Sequence, residues 1–194
     1  MKQTILTGIL FLMFACIMQP PVVAAAATAK PATVRVQLHD LPLLDQNGKQ
    51  LLFKSDVIGD KLVAITFTYT TCTTICPILD SIFVKLQDKL PGRLGKDVFL
   101  VTVSIDPVND IPPRLKAYAG KLKAKPGWSF LTGNKVNVDK VLTGLDMFSA
   151  DILNHTPSML VGDGKSGVWR RFYGFPSSDK LLAALNELSA ARSR

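Results

Sequence analysis

The strongest constraint on this chain is the alternation of two hydrophobic periods from residue 61 onward. Leu62 to Thr70 is rich in β-branched and aromatic residues and puts Val63, Ile65, Phe67 and Tyr69 on one side, as a strand does. Leu79, Ile82, Phe83, Leu86 and Leu90 then recur at helical spacing, so the sequence predicts a helix over Pro77–Leu90, ended by Pro91-Gly92. Val98 to Ile105 is almost continuously apolar, as a strand buried on both faces should be. Leu115, Tyr118, Ala119 and Leu122 stripe a helix opened by Pro112-Pro113, and Trp128 to Leu131 reads as a strand. Val138, Val141, Leu142 and Leu145 stripe a third helix. Met159–Val161 and Val168–Tyr173 read as strands joined by the turn at 163–167, and Leu181, Leu182, Leu185 and Leu188 stripe the last helix. The order β-α-β-α-β-α-β-β-α implies one central, largely parallel sheet with helices on both faces and a late antiparallel hairpin.

Ahead of this block, Val34 to Leu38 reads as a short strand. Leu43-Leu44 and Leu51–Phe53 flank Asn47-Gly48, a pair that favours the positive φ angles of a type I′ hairpin turn. The whole is the order of a thioredoxin-like fold, an α/β architecture with a central mixed sheet flanked by helices and an added N-terminal β-hairpin. It occupies residues 30–194, with no internal repeat or second domain visible. Residues 1–29 read as a targeting segment. Lys2 is their only charge, Ile5 to Met18 is apolar, Pro20-Pro21 breaks any helix, and small residues follow through Ala27. The apolar run is short for a bilayer span. A cleaved signal peptide is the first reading; a retained N-terminal anchor or lipidation at Cys16 are the others. Each places the remainder outside the cytoplasm, in the periplasm or on the outer face of the inner membrane. The net charge of +8 would otherwise suggest nucleic acid, but export argues against that partner.

Three cysteines are too few for a disulfide scaffold. Two of them, Cys72 and Cys76, follow the first core strand in Thr70-Thr71-Cys72-Thr73-Thr74-Ile75-Cys76-Pro77. Pro77 suits a first helical residue, which makes Cys76 the expected N-cap and puts Cys72 in the preceding loop. Helix N–H groups there favour negative charge, so both thiols are expected to ionise more readily than a free cysteine. Two such thiolates can close a redox disulfide or grip a soft metal. Three intervening residues make a wider loop than the common C-x-x-C redox pair, and this width suits a metal. A static disulfide is the bland alternative, though so small a loop would stabilise little.

His155 stands two residues before Pro157, just ahead of the strand near Met159. In thioredoxin-like folds a cis-proline at this point faces the cysteine loop, so Thr156–Pro157 is expected to be cis and His155 to come near Cys72 and Cys76. Two thiolates and one imidazole make a trigonal set. Soft sulfur selects Cu(I), and the added nitrogen lets the same site hold Cu(II). A structural zinc would want four ligands. The other histidine, His39, ends the first predicted strand and reads as a bland residue.

In these residues the chain resembles the Sco/SenC family, copper-binding thioredoxin-like assembly factors of cytochrome c oxidase. The resemblance runs from the Asp45–Gly48 hairpin to Gly174. It rests on Phe67-Thr68-Tyr69-Thr70, Cys72-x3-Cys76-Pro77, Ser104-Ile105-Asp106-Pro107 with Asp110 and Pro112, Trp128-Ser129-Phe130-Leu131-Thr132-Gly133, His155-Thr156, Asp163-Gly164 and Tyr173-Gly174. It implies that Cys72, Cys76 and His155 bind copper. It also implies that the protein delivers copper to, or reduces the cysteines of, the binuclear copper site of oxidase subunit II, and that members are exported and usually tethered. The chain departs from the family at two points. Thr73-Thr74 stand where Pro-Asp is typical, and Pro157 follows the histidine by two residues. Both move weight towards thiol chemistry, hence the alternatives of a periplasmic thiol–disulfide oxidoreductase or a copper or redox sensor using Cys72 and Cys76. A metallochaperone is favoured over an enzyme. Arg114, Lys116, Lys121, Lys123 and Lys125 gather around one helix, as a solvated face or as a docking surface for an acidic partner or membrane. Asp106 and Asp110 read as turn and N-cap residues.

Overall fold

The computed structural model describes residues 31–154 and 156–193. The N-terminal segment 1–29 and His155 therefore lie outside the described residues.

The core is built on β4 (Leu62–Thr68), every residue of which is buried. Its neighbour β5 (Val98–Ser104) runs parallel to it, in register from Leu62↔Val98 to Thr68↔Ser104, and β6 (Trp128–Thr132) runs parallel to β5. The remaining pairings are antiparallel. β7 (Ser158–Asp163) lies on the other side of β4, β8 (Val168–Tyr173) follows it, and β1 (Ala32–Val34) edges β8. The hairpin of β2 (Pro42–Asp45) and β3 (Gln50–Leu52) adds to β6. The eight strands lie in the order β1-β8-β7-β4-β5-β6-β2-β3. The sheet is thus mixed, and its parallel part is confined to β4, β5 and β6. The expected parallel character was too broad, because hairpins rather than helical crossovers supply the outer strands.

Alternation along β4 sends side chains into two separate cores. Val63, Ile65, Phe67 and Tyr69 join Val101, Val103 and Leu131 under α3 (Lys135–Gly144) and a wide helical turn at Phe53–Ile58. Leu62 and Ala64 point the other way, with Leu100 and Phe130, towards α1 (Cys76–Asp88), α2 (Pro112–Lys121) and α4 (Ser178–Arg192). Among the described residues no helix is long and apolar enough to cross a membrane.

Three local expectations differ. The first strand is Ala32–Val34, earlier than Val34–Leu38, because its partners Arg171 to Trp169 on β8 set the register. The β2–β3 turn is not type I′. Gly48 has φ +80° but Asn47 does not have positive φ, and Asp45 instead accepts the Gly48 N–H and binds the Asn47 and Lys49 N–H groups through Oδ1. That aspartate holds a turn whose positive φ falls on glycine alone. The Thr156–Pro157 peptide is trans; trans is the lower-energy isomer by about 0.5–1 kcal/mol, and the chain enters β7 without the switch.

Parallel pairing brings the ends of β4 and β5 to one edge of the sheet, so the loops 69–75 and 105–111 lie side by side. β7 starts at the same edge, because it runs antiparallel to β4 with Ile65 opposite Leu160 and Leu62 opposite Asp163. This edge depends on β6 sitting correctly, and β6 is entered through a tight crossing. Gly127 has φ +98°, and a Cβ there would lie 2.4 Å from the Gly95 backbone nitrogen. Gly127→Ala is expected to lower unfolding stability by about 3 kcal/mol, from overpacking added to backbone strain; urea titration followed by circular dichroism checks it.

Candidate metal centre

The site begins where β4 ends. Tyr69 O accepts the Cys72 N–H at 3.0 Å, closing a turn that folds the chain back over the sheet edge. Helix α1 then starts at Cys76, one residue earlier than expected, with Ile75 as N-cap and no side-chain cap from it. The cap comes from the other cysteine. Cys72 Sγ accepts the Cys76 backbone N–H at 3.3 Å, so a sulfur meets one of the orphan N–H groups that every helix start leaves open. The structure therefore brings Cys72 and Cys76 together as free thiols, the first 8% exposed and the second fully buried.

The two thiols are not equivalent. Burial pushes Cys72 up, but the hydrogen bonds it accepts outweigh burial. They come from the Cys76 thiol and N–H, the Thr74 N–H and the Tyr69 hydroxyl, and they bring it from 9.0 down to about 7. Cys76 goes the other way. Its burial, together with its role as donor to Cys72, raises it to about 12. The expectation that both thiols ionise readily thus holds for Cys72 and fails for Cys76. A negative charge on one sulfur is favoured by the second thiol as its donor, and a second charge so close and so buried is not. Tyr69 is itself raised to about 12, by burial and by its hydrogen bond to Cys72, so it stays a donor at neutral pH.

Asp110 fixes the loop from below. Fully buried, it accepts the Ser104 hydroxyl at 2.6 Å, the Thr70 hydroxyl at 2.5 Å and the Thr70 N–H at 3.2 Å. It is not the N-cap of α2, which is Ile111; its carboxylate faces inward because both hydroxyls do. A second buried carboxylate, Asp80 on α1, accepts the Tyr118 hydroxyl, which also lies 3.4 Å from Thr68 Oγ1. Burial raises Asp80 to about 6, the Tyr118 hydrogen bond acting against it.

Sequence reasoning found Cys72 and Cys76 but not the roles of Tyr69, Asp110 and Asp80. Tyr69 read as core from its place in the strand alternation, and that same place, three residues before Cys72, was the available signal. Among the described residues no group of three or more His, Cys, Asp or Glu side chains is arranged to hold a metal. The two sulfurs are the donors in view. His155, the third expected ligand, lies outside the described residues. Its follower Thr156-Pro157 leads into Ser158, at the sheet edge that carries the cysteine loop. His39 takes no part in this arrangement; its ring lies close to Gly144, below α3.

A sequence model of the SCO1/SenC family matches residues 36–190. The chain belongs to the SCO1/SenC family. It is 37% identical over 90 residues to the SCO1 protein homolog of Bacillus subtilis, covering 46% of this chain and 45% of that protein. It is 28% identical over 156 residues to an SCO2-like protein of Rickettsia conorii, covering 75% and 74%. The chain spans about half the length of the Bacillus relative. Among solved structures, a SCO1/SenC family lipoprotein from Bacillus anthracis superposes with a TM-score of 0.69 at 23% identity, over 83% of this chain and 99% of that one. Bradyrhizobium japonicum ScoI, solved with copper bound, superposes with a TM-score of 0.60 at 24% identity, over 82% and 99%. At such identities the likeness establishes the thioredoxin-like fold that the strand order describes.

Two outcomes follow from the thiol pair and from Asp80. Thiolate absorbance in the reduced protein should rise in a single step near pH 7 that Cys72→Ser abolishes. Cys76→Ala, which removes the thiol donor, should move that step upward by about one unit. Asp80 is raised above its unfolded value of 3.8, so its ionisation opposes folding. The stability that its neutral form retains is present below pH 3.8 and lost as the pH rises through 6. The unfolding free energy of Asp80→Asn relative to the parent should therefore shift in the variant's favour by up to about 3 kcal/mol between pH 4 and pH 7, read from urea titrations at each pH.

Proposed function

We propose that this chain is an exported copper-binding protein that serves the binuclear copper site of cytochrome c oxidase, either by delivering copper to it or by keeping its thiols reduced. The observation that carries the reading is the convergence of Cys72 and Cys76 at the start of α1, one sulfur poised as thiolate and the other held as its donor. Family membership supports it, as do the relatives themselves. Arabidopsis thaliana ScoI and Bradyrhizobium japonicum ScoI were solved with copper bound, and another neighbour is described as a member of the Sco family of cytochrome c oxidase assembly proteins.

Two thiolates in a buried pocket suit a soft cation, and Cu(I) is the cargo that such donors select. Cys72 offers its sulfur already ionised near neutrality. Cys76 gives up its proton as the metal arrives, so binding releases protons and strengthens with pH. His155 is the proposed third ligand, whose nitrogen extends the site to Cu(II). Export rests on the apolar, nearly uncharged residues 1–29, and the proposed partner is oxidase subunit II or another exported copper or thiol protein.

The asymmetry of the thiols favours a second reading, thiol–disulfide exchange. The Cys72 thiolate attacks a disulfide of the partner, forming a mixed disulfide and releasing one partner thiolate, which takes up a proton. Cys76 loses its proton and attacks the Cys72 sulfur, closing the Cys72–Cys76 bond and releasing the second partner thiolate, which is protonated in turn. Two electrons pass from this chain to the partner, with one proton supplied by Cys76 and the other by solvent. Copper binding and disulfide formation then compete for the same sulfurs.

The reduced protein should take up a single Cu(I) per chain and the oxidised protein none, as measured by titration against a chromophoric chelator under anaerobic conditions. His155→Ala should keep Cu(I) while lowering Cu(II) affinity at least tenfold (about 1.4 kcal/mol) and abolishing or shifting the Cu(II)–thiolate band. Equal Cu(I) uptake by both forms would overturn the shared-sulfur site. An unaltered Cu(II) spectrum in His155→Ala would remove His155 from it.

A further inference from the structure

Cys72, the less buried of the two thiols, stands at the end of a groove. Pro77, Ser81 and Val84 of α1 line one wall, and Tyr118 with Leu122 at the end of α2 lines the other, around about 490 Å³ with Cys72 at its mouth. The lining is mostly apolar, and its rim is cationic: Lys85, Lys121 and Lys123 all face it and are exposed. None of the three pairs with a carboxylate among the described residues, whereas the neighbouring Lys89 and Lys125 do, with Asp179 and Asp88. The one carboxylate in the groove is Asp80, which is 1% exposed and spoken for by the Tyr118 hydroxyl.

We infer that this groove is the docking site for a polypeptide segment of the thiol partner, one that carries an apolar side chain beside its cysteine and carboxylates flanking both. This rests on the thiol-exchange reading of Cys72 and adds the chemistry of what Cys72 meets. The apolar walls take the side chain out of water. The unpaired lysines meet the carboxylates, which steers the encounter and fixes its direction. Tyr118 is held in place by Asp80, whose carboxylate lies beneath the groove surface at 1% exposure and out of reach of a docked carboxylate. The α1–α2 groove runs up to Cys72 and not to Cys76, so a docked segment delivers its sulfur to the thiol within reach and leaves the fully buried one for the second step. A flat membrane surface would engage the lysines but leave the recess between the helices unused.

The test measures the rate at which the reduced protein exchanges with three disulfides. Two are peptides identical except that glutamates or lysines flank a Leu-Cys pair held as a mixed disulfide. The third is neutral 2-hydroxyethyl disulfide. The glutamate peptide should react at least about tenfold faster than the lysine peptide at low ionic strength, with the gap closing in 1 M salt. Replacing its leucine by serine should slow it. The triple variant Lys85→Glu, Lys121→Glu, Lys123→Glu should invert the preference. The triple variant Lys54→Glu, Lys140→Glu, Lys165→Glu changes net charge equally at exposed sites outside the groove and should preserve it. Each peptide rate is divided by the same protein's rate with 2-hydroxyethyl disulfide, which cancels any change in the reactivity of Cys72 and shows that the protein is folded with Cys72 intact. If Cys72 proves inert to 2-hydroxyethyl disulfide, the exchange reading itself falls, and the groove is then scored by chemical-shift changes on adding the glutamate peptide, with serine for cysteine, to the Cys72→Ser protein. Shifts confined to Val84, Leu122 and their neighbours uphold it. Equal rates for the two charged peptides, an effect of the remote triple as large as that of the groove triple, or shifts absent from the groove would each overturn the inference. So would sedimentation with phosphatidylglycerol vesicles in the absence of peptide preference, which would assign the lysines to a membrane.

Discussion

A single buried carboxylate, that of Asp110, ties the ends of the two central strands together, and the geometry of the cysteine loop depends on it. It gathers the hydroxyl of Ser104 at the end of β5 and both the hydroxyl and the N–H of Thr70 just beyond β4. Hydrogen bonds to a charged acceptor contribute about 1.5–3 kcal/mol each, more than neutral ones, and leaving any of them unmade in a buried setting costs about as much. Three donors on one buried acceptor make a rigid node. The loop from Thr70 to Ile75 departs from that node with little freedom in where it begins, and this lets a backbone N–H and a thiol meet Cys72 from the far end of the loop.

The contrast between the two sulfurs then follows from opposing effects of similar size. A helix start favours negative charge within its first turn, and burial disfavours it everywhere. At Cys72 four donors converge and the side chain retains some contact with solvent, so the anion wins. At Cys76, one turn into the protein and fully buried, the neutral thiol wins, and it becomes one of the donors that stabilise its neighbour. The asymmetry suits both chemistries proposed for the site. It gives a metal one ligand ready at neutral pH, and it gives an exchange reaction a distinct attacking and resolving sulfur.

The groove beside Cys72 has its origin in the same packing. Helices α1 and α2 cover one face of the sheet with Leu79, Phe83, Leu115 and Ala119 inward. They meet over Tyr118 and Asp80, whose polar contact replaces an apolar one at the point nearest the site. A buried aspartate raised by desolvation is a cost to folding that an apolar residue would avoid. Its presence there marks the α1–α2 junction as shaped by more than packing.

The sequence by itself determined the run of elements from Leu62 to the last helix, because each hides its apolar residues with a distinct period, 2 for strands and 3.6 for helices. It also determined that Cys72-x3-Cys76 leads into the start of a helix, since Pro77 and the apolar stripe after it leave little choice. Tertiary structure decided what periodicity does not encode: which strands pair in parallel, that Asp110 turns inward to Thr70 rather than capping α2, and that Thr156–Pro157 is trans. It also decided the direction in which each thiol is shifted. A pKa depends on which donors and how much protein surround a sulfur, and those neighbours, Tyr69, Thr74 and the other cysteine, are assembled only when the loop closes over the sheet edge.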